Sequence, residues 1–142
     1  MPLALGLAPK VVDPRTLRYR AVSTAPWPSL PLAYSWDKEH PYAVPCPMFG
    51  NDVHGDCVEA AKGHQVLRFE FQENGAAPPI TTAEVEAEYF RQSGGQDNGL
   101  VMLYSMRDWR NFGWKAGART LNIHSFLAVT PQDHDAVKEA TD

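Results

Sequence analysis

Apolar and polar positions change their rhythm near position 56. Before it, nine of the twelve prolines lie between positions 2 and 47, and no apolar repeat is sustained. Proline lacks a donor and pushes the preceding residue toward extended backbone. Residues 1 to 47 are therefore expected to be mostly extended, with a strand around Leu32 to Trp36 and the first twenty residues disordered. From Asp56 the pattern becomes helical. Val58, Ala61, Val66, Leu67 and Phe69 recur at roughly helical spacing until Asn74-Gly75 and Pro78-Pro79 stop the run.

Three more elements follow. Thr81 with Glu84 three residues later has the form of a capping box, opening a helix that carries Val85, Tyr89 and Phe90 before Gly94-Gly95. A third helix is expected from about Asn98, with Leu100, Leu103 and Trp109 on its faces and Gly113 ending it in a left-handed conformation. Leu121 and Ile123 alternate with Asn122 and His124, so Thr120 to Val129 reads as a strand. Thr130 as N-cap, Pro131 at the first helical position and Asp133 in the first turn announce a last helix, which carries Val137 and Ala140. The fold class expected is α+β, with an extended, Pro-rich basic arm over 1–32 and a helical body over 33–142.

The segment Asn51-Asp52-Val53-His54-Gly55-Asp56-Cys57 puts a thiol at a helix start. The first N–H groups of a helix lack intrahelical partners and carry partial positive charge, which favours a thiolate. Asp56 suits the N-cap position, Gly55 permits a tight turn, and the Asn51 amide, six residues upstream, can donate to an oxyanion. Cys57 is thus the candidate nucleophile and Asn51 the candidate oxyanion donor. The adjacent Asp56 carboxylate opposes thiolate formation, so at most a modest downward shift of the Cys57 pKa is expected. The helix end alone contributes about 0.3–1 kcal/mol, and full activation needs a protonated His within hydrogen-bond reach. His54, three residues before the thiol, can approach it. His64, two turns along the same helix face and about 10 Å away, is a structural histidine.

This loop resembles that of the papain-like cysteine peptidases, in which Gln stands six residues before the Cys, Gly two before it, and the Cys opens the long central helix. Asn51, Gly55 and Cys57 occupy those places. Tyr34-Ser35-Trp36-Asp37 is similar to the family's first strand, and Asp97-Asn98-Gly99 with Met102, Trp109-Arg110 and Gly113 to its Asn-Gly turn and following helix. The likeness is nearest to a divergent group from bacteria and their phages, with Met48 to Cys57 as its loop, and covers pieces of residues 33 to 140. It implies a papain-like fold, mainly its helical half. The base His and its orienting Asn would come from a second, barrel-like half that these 142 residues do not contain.

Composition narrows the alternatives. The 142 residues, 44% apolar and 21% charged, suit one globular domain. A net charge of -4 excludes a polyanion-binding footprint, so neither nucleic acid nor a membrane surface is an expected partner. The basic group Lys10, Arg15, Arg18 and Arg20 reads as a solvated strap. No signal peptide or spanning segment is readable, and the chain is expected to be soluble. Cys46, His54, Cys57 and His64 follow a C-x7-H-x2-C-x6-H order that matches no compact zinc pattern, so no metal or other cofactor is expected. A Cys46–Cys57 disulfide is the other way to engage the thiols. Trp27, Trp36, Trp109 and Trp114 read as core or contact aromatics.

The function expected is a thiol acyl hydrolase component acting on a peptide or acyl substrate, inactive as a peptidase by itself. The alternative is a catalytically silent papain-like module for binding or assembly, for example in a virion. Either reading implies a complementary half or another polypeptide, or self-association, at the face near 130–142.

Overall fold

A computed structural model describes residues 8–23, 44–116 and 118–140. The expected strand at Leu32–Trp36, the Tyr34–Asp37 motif, Trp27 and His40 lie outside the described residues. The elements in chain order are α1 (Tyr19–Val22), α2 (Cys57–Asn74), α3 (Thr82–Ser93), α4 (Met102–Phe112), β1 (Trp114–Ala116), β2 (Arg119–Leu121) and α5 (His134–Glu139). The architecture is α+β: helices with a small antiparallel sheet of two strands.

Helix α2 begins and ends where its sequence signals stand. Gly75 closes it in the left-handed region at φ 70°, its N–H bonded to the Phe71 carbonyl at 2.8 Å. Its buried face differs from the expected one. Ala61 and Phe69 are exposed, while Glu59, Lys62 and Gly63 turn inward with Val58, Ala60, Val66 and Leu67. Gly63 lies inward because Phe49 packs on it: an added Cβ would stand 2.9 Å from the Phe49 ring. Phe49, Ala60, Val66, Leu67, Val85, Trp109 and Trp114 form the main core, and Val58, Tyr89 and Leu100 a second one against Cys57 and Phe90.

Glu59 and Lys62 are tolerated inside because they pair. Lys62 Nζ donates to Glu59 Oε1 at 2.8 Å and to the Ser105 carbonyl at 3.1 Å, and also meets the Ser105 hydroxyl. Ser105 Oγ stands 2.7 Å from both Glu59 Oε1 and Gln92 Oε1, so its single hydrogen serves one of them. Gln92 donates in turn to Glu88, which Arg91 links to Asp108. This polar chain joins α2, α3 and α4.

The capping box of α3 forms as expected: the Glu84 N–H donates to Thr81 Oγ1 at 3.3 Å, and the Thr81 N–H to Glu84 Oε2 at 2.8 Å. Helix α4 starts at Met102, not near Asn98, because Gly99 takes a positive φ of 78° and Val101, its N-cap, is extended. Gly113 ends α4 at φ 78° and ψ 168°, a glycine region other than the left-handed helical one expected. A Cβ there would clash with Thr120 Cγ2.

The long strand expected over Thr120–Val129 is a correction. Only Arg119–Leu121 pairs with Trp114–Ala116, in the register Trp114↔Leu121, Lys115↔Thr120 and Ala116↔Arg119. Beyond it the chain meets the arm instead of a second strand: Tyr19 donates to the Ala128 carbonyl at 3.0 Å and Ala128 to the Leu17 carbonyl at 2.9 Å. Helix α5 also starts later than Thr130 and Pro131 announce. Asp133 is its N-cap, accepting the Ala136 N–H at 3.0 Å, and residues 130–133 form a turn before it.

The arm differs from a disordered, solvated strap over the residues described. Ala8 donates to the Leu100 carbonyl at 3.2 Å, Asp13 binds Arg15 and Arg107, and Arg20 bonds Asp133 at 2.9 and 3.0 Å. Of its basic residues, Arg20 finds an acidic partner on the body and Arg15 one within the arm, while Lys10, Arg15 and Arg18 stay exposed as a strap's would. Among the described residues, no helix is long and apolar enough to cross a membrane.

Candidate functional site

The thiol loop is shaped at Phe49 and Gly50, which take φ values of 55° and 88°. These reverse the chain so that the Val53 and His54 N–H groups both donate to the Gly50 carbonyl, at 2.9 and 2.8 Å. Only glycine fits at 50, because a Cβ would meet Glu86 Oε1 at 2.7 Å and Asp56 Oδ2 at 3.1 Å. The tight turn expected of Gly55 is therefore made five residues earlier. Gly55 is buried, and its N–H donates to Asp97 Oδ1 at 2.8 Å. Asn51 is exposed on that turn, its own N–H bonded to the Met48 carbonyl.

Asp56 is the N-cap residue of α2, but its carboxylate does not cap: at ψ 19° its side chain makes no bond to the first turn. It is fully buried, and neither oxygen has a hydrogen-bond partner among the described residues. Burial pushes its pKa up to about 6, helped by the Glu86 and Asp97 charges and opposed by its own backbone N–H and by His54.

Cys57 is the first residue of α2, half-buried and free, as Cys46 is free. The structure corrects the expected direction of its pKa. Burial first, then the Asp56 carboxylate, push the thiol up, and the backbone N–H groups of Val58 and Cys57 only partly pull it back. The helix-end effect is present but loses to desolvation, because the thiol packs against the Val58, Tyr89 and Leu100 cluster.

His54 turns toward α3. Its Nδ1 lies 3.1 Å from Asp97 Oδ2, its Nε2 3.9 Å from Glu86 Oε1, and Phe90 stands edge-on to its ring at 5.1 Å. His54 is not among the groups that shift the Cys57 thiol. His64 takes the structural role expected of it: Nε2 donates to the Pro47 carbonyl at 2.8 Å, with Cys46 Sγ at 4.0 Å and the Phe49 ring at 5.1 Å. The Cys/His series is thus divided, His64 beside Cys46 and His54 beside Asp97.

Two site residues escaped the sequence reading, Asp97 and Tyr89. The Tyr89 O–H donates to Asp97 Oδ1 at 2.7 Å and accepts the Gly99 N–H at 3.0 Å. Hydrogen bonds from Gly55, Tyr89 and His54, in that order, hold the Asp97 carboxyl below its ordinary range. Sequence places Asp97 in an Asp-Asn-Gly turn and Tyr89 among the apolar residues of a helix, and neither place marks a role at the thiol loop. No family model, curated protein or solved structure matches this chain. The site's chemistry rests on its own geometry: a half-buried thiol opening an 18-residue helix, with the loop before it anchored to Asp97.

Proposed function

We propose that the chain is the thiol-bearing component of a papain-like acyl hydrolase, with Cys57 as nucleophile and Asn51 as oxyanion donor. The observation that carries this reading is Cys57 at the first position of α2, half-accessible, with the Cys57 and Val58 N–H groups lowering its pKa against the burial. An acyl carbonyl attacked there would form a tetrahedral oxyanion, to be held by the Cys57 N–H and by the Asn51 amide swung in from its exposed turn. The base belongs to a complementary half or another polypeptide, for which the face near 130–142 is the proposed contact. Its protonated imidazole would offset the Asp56 charge that now raises the thiol pKa.

The test is acylation by p-nitrophenyl acetate at pH 9, read by peptide mass. The expected result is a thioester accumulating at Cys57 without peptidase turnover, because no described histidine acts on the thiol to assist deacylation. Asn51→Ala should slow this acylation about tenfold or more, as removal of an oxyanion donor does. Preferential acylation of Cys46 would overturn the reading.

One observation favours a second reading, a catalytically silent binding or assembly module. The buried, unpartnered Asp56 beside Cys57 is the opposite of what an activated thiol needs. Under that reading Cys57 acylates no faster than Cys46.

A further inference from the structure

We propose that Asp97 and Tyr89 form a positioning clamp that holds the thiol loop in register for acyl transfer. The inference rests on the thiol-hydrolase reading and deepens it. One carboxylate oxygen, Asp97 Oδ1, accepts both the Gly55 N–H at 2.8 Å and the Tyr89 O–H at 2.7 Å, while Oδ2 meets His54 Nδ1 at 3.1 Å. Two loop residues, His54 and Gly55, are therefore tied to one side chain some forty positions downstream. Tyr89 is fully buried in the cluster of Val58 and Leu100, and Cys57 packs against that same cluster. Its hydroxyl accepts the Gly99 N–H at 3.0 Å, so the turn bearing Asp97 is itself anchored to α3.

The consequence is geometric. Gly55 stands two residues before the nucleophile, and its fixed N–H sets the direction in which the chain enters α2 at Asp56 and Cys57. In acylation the thiolate sulfur bonds the carbonyl carbon, charge moves onto the carbonyl oxygen facing the Cys57 N–H, and the leaving group departs with its electron pair. That oxyanion contact tolerates little displacement, since about 1 Å of misplacement costs about 10²-fold in rate. Alkylation by iodoacetamide makes no oxyanion and asks only for an accessible thiolate.

The experiment compares the two reactions at Cys57 in the whole chain. For Asp97→Ala we expect acylation by p-nitrophenyl acetate to fall about tenfold or more relative to alkylation by iodoacetamide. Asp97→Asn keeps an oxygen for Gly55 and Tyr89 and should restore most of the ratio. Tyr89→Phe, which removes one hydroxyl, should give an intermediate loss and serves as the deciding variant if Asp97→Ala does not fold. An unchanged ratio in the folded variants, or equal falls in both reactions, overturns the clamp while leaving Cys57 as the nucleophile. Absence of acylation at Cys57 in the unaltered chain would instead defeat the hydrolase reading, and the clamp with it.

Discussion

Asp56 and Cys57 share one desolvated helix start, where burial raises the pKa of both and the Asp56 carboxylate adds to the rise of the thiol. Asp56 has its pKa pushed up to about 6 from the ordinary 3.8, so between these values the folded chain binds more protons than the unfolded chain. Its contribution to stability is fully present below the unfolded value and is lost as pH rises through the folded one. Asp56→Asn keeps the shape and removes the charge. We expect this variant to match the parent in urea unfolding near pH 4 and to be more stable at pH 7.5, by on the order of 1 kcal/mol. Because the Asp56 charge also raises the Cys57 thiol, iodoacetamide labelling of Cys57 should shift to lower pH in the same variant. A parallel pH dependence of stability in both proteins would show that Asp56 does not carry it. The residue types at 51, 55, 56 and 57 were legible as a thiol loop, but the direction of the pKa shift was not, since it depends on how much solvent the fold leaves around Asp56.

At the scale of elements, the cores of α2, α3 and α4 meet through the Lys62–Glu59–Ser105 group. Burial lowers the Lys62 pKa and Glu59 counters it, while the ammonium also lies 5.4 Å from the centre of the Trp109 ring. Removing one partner leaves an uncompensated buried charge. Lys62→Ala should therefore cost about 3–5 kcal/mol in urea unfolding, whereas a joint Glu59→Leu and Lys62→Met replacement should cost far less. Equal losses for the two would show that the residues act by volume alone. Helical periodicity could not reveal this pair, because a Glu and a Lys three apart most often form a solvated face. The Thr81–Glu84 cap and the Gly75 stop are different. Both are made by residues three or four positions apart, and both form where the sequence places them.

Across the whole molecule, the arm and the last third of the chain hold each other. Arg20 reaches Asp133 at the N-cap of α5, and Arg18 bridges Ala128, so the end of the segment read as a strand over 120–129 meets the arm. On the face near 130–140, Ala136 is buried and Val137 is 37% exposed. If that face contacts a second copy or another polypeptide, sedimentation over a concentration series should show association that Val137→Glu weakens at least tenfold. A monomer at every concentration, unaffected by the substitution, would remove self-association from the proposal.

Sequence alone determined α2 and α3 and their stops, because a capping box and left-handed glycines act over four or five residues; the starts of α4 and α5, and α1 itself, it did not. It also placed Cys57 at a helix start, a matter of local order along the chain. Tertiary structure decided what surrounds that thiol: a buried Asp56, a His54 turned to Asp97, and a Tyr89 that ties loop to turn. These depend on contacts between residues eight to some forty positions apart, where desolvation and hydrogen-bond geometry, and not propensity, set the outcome.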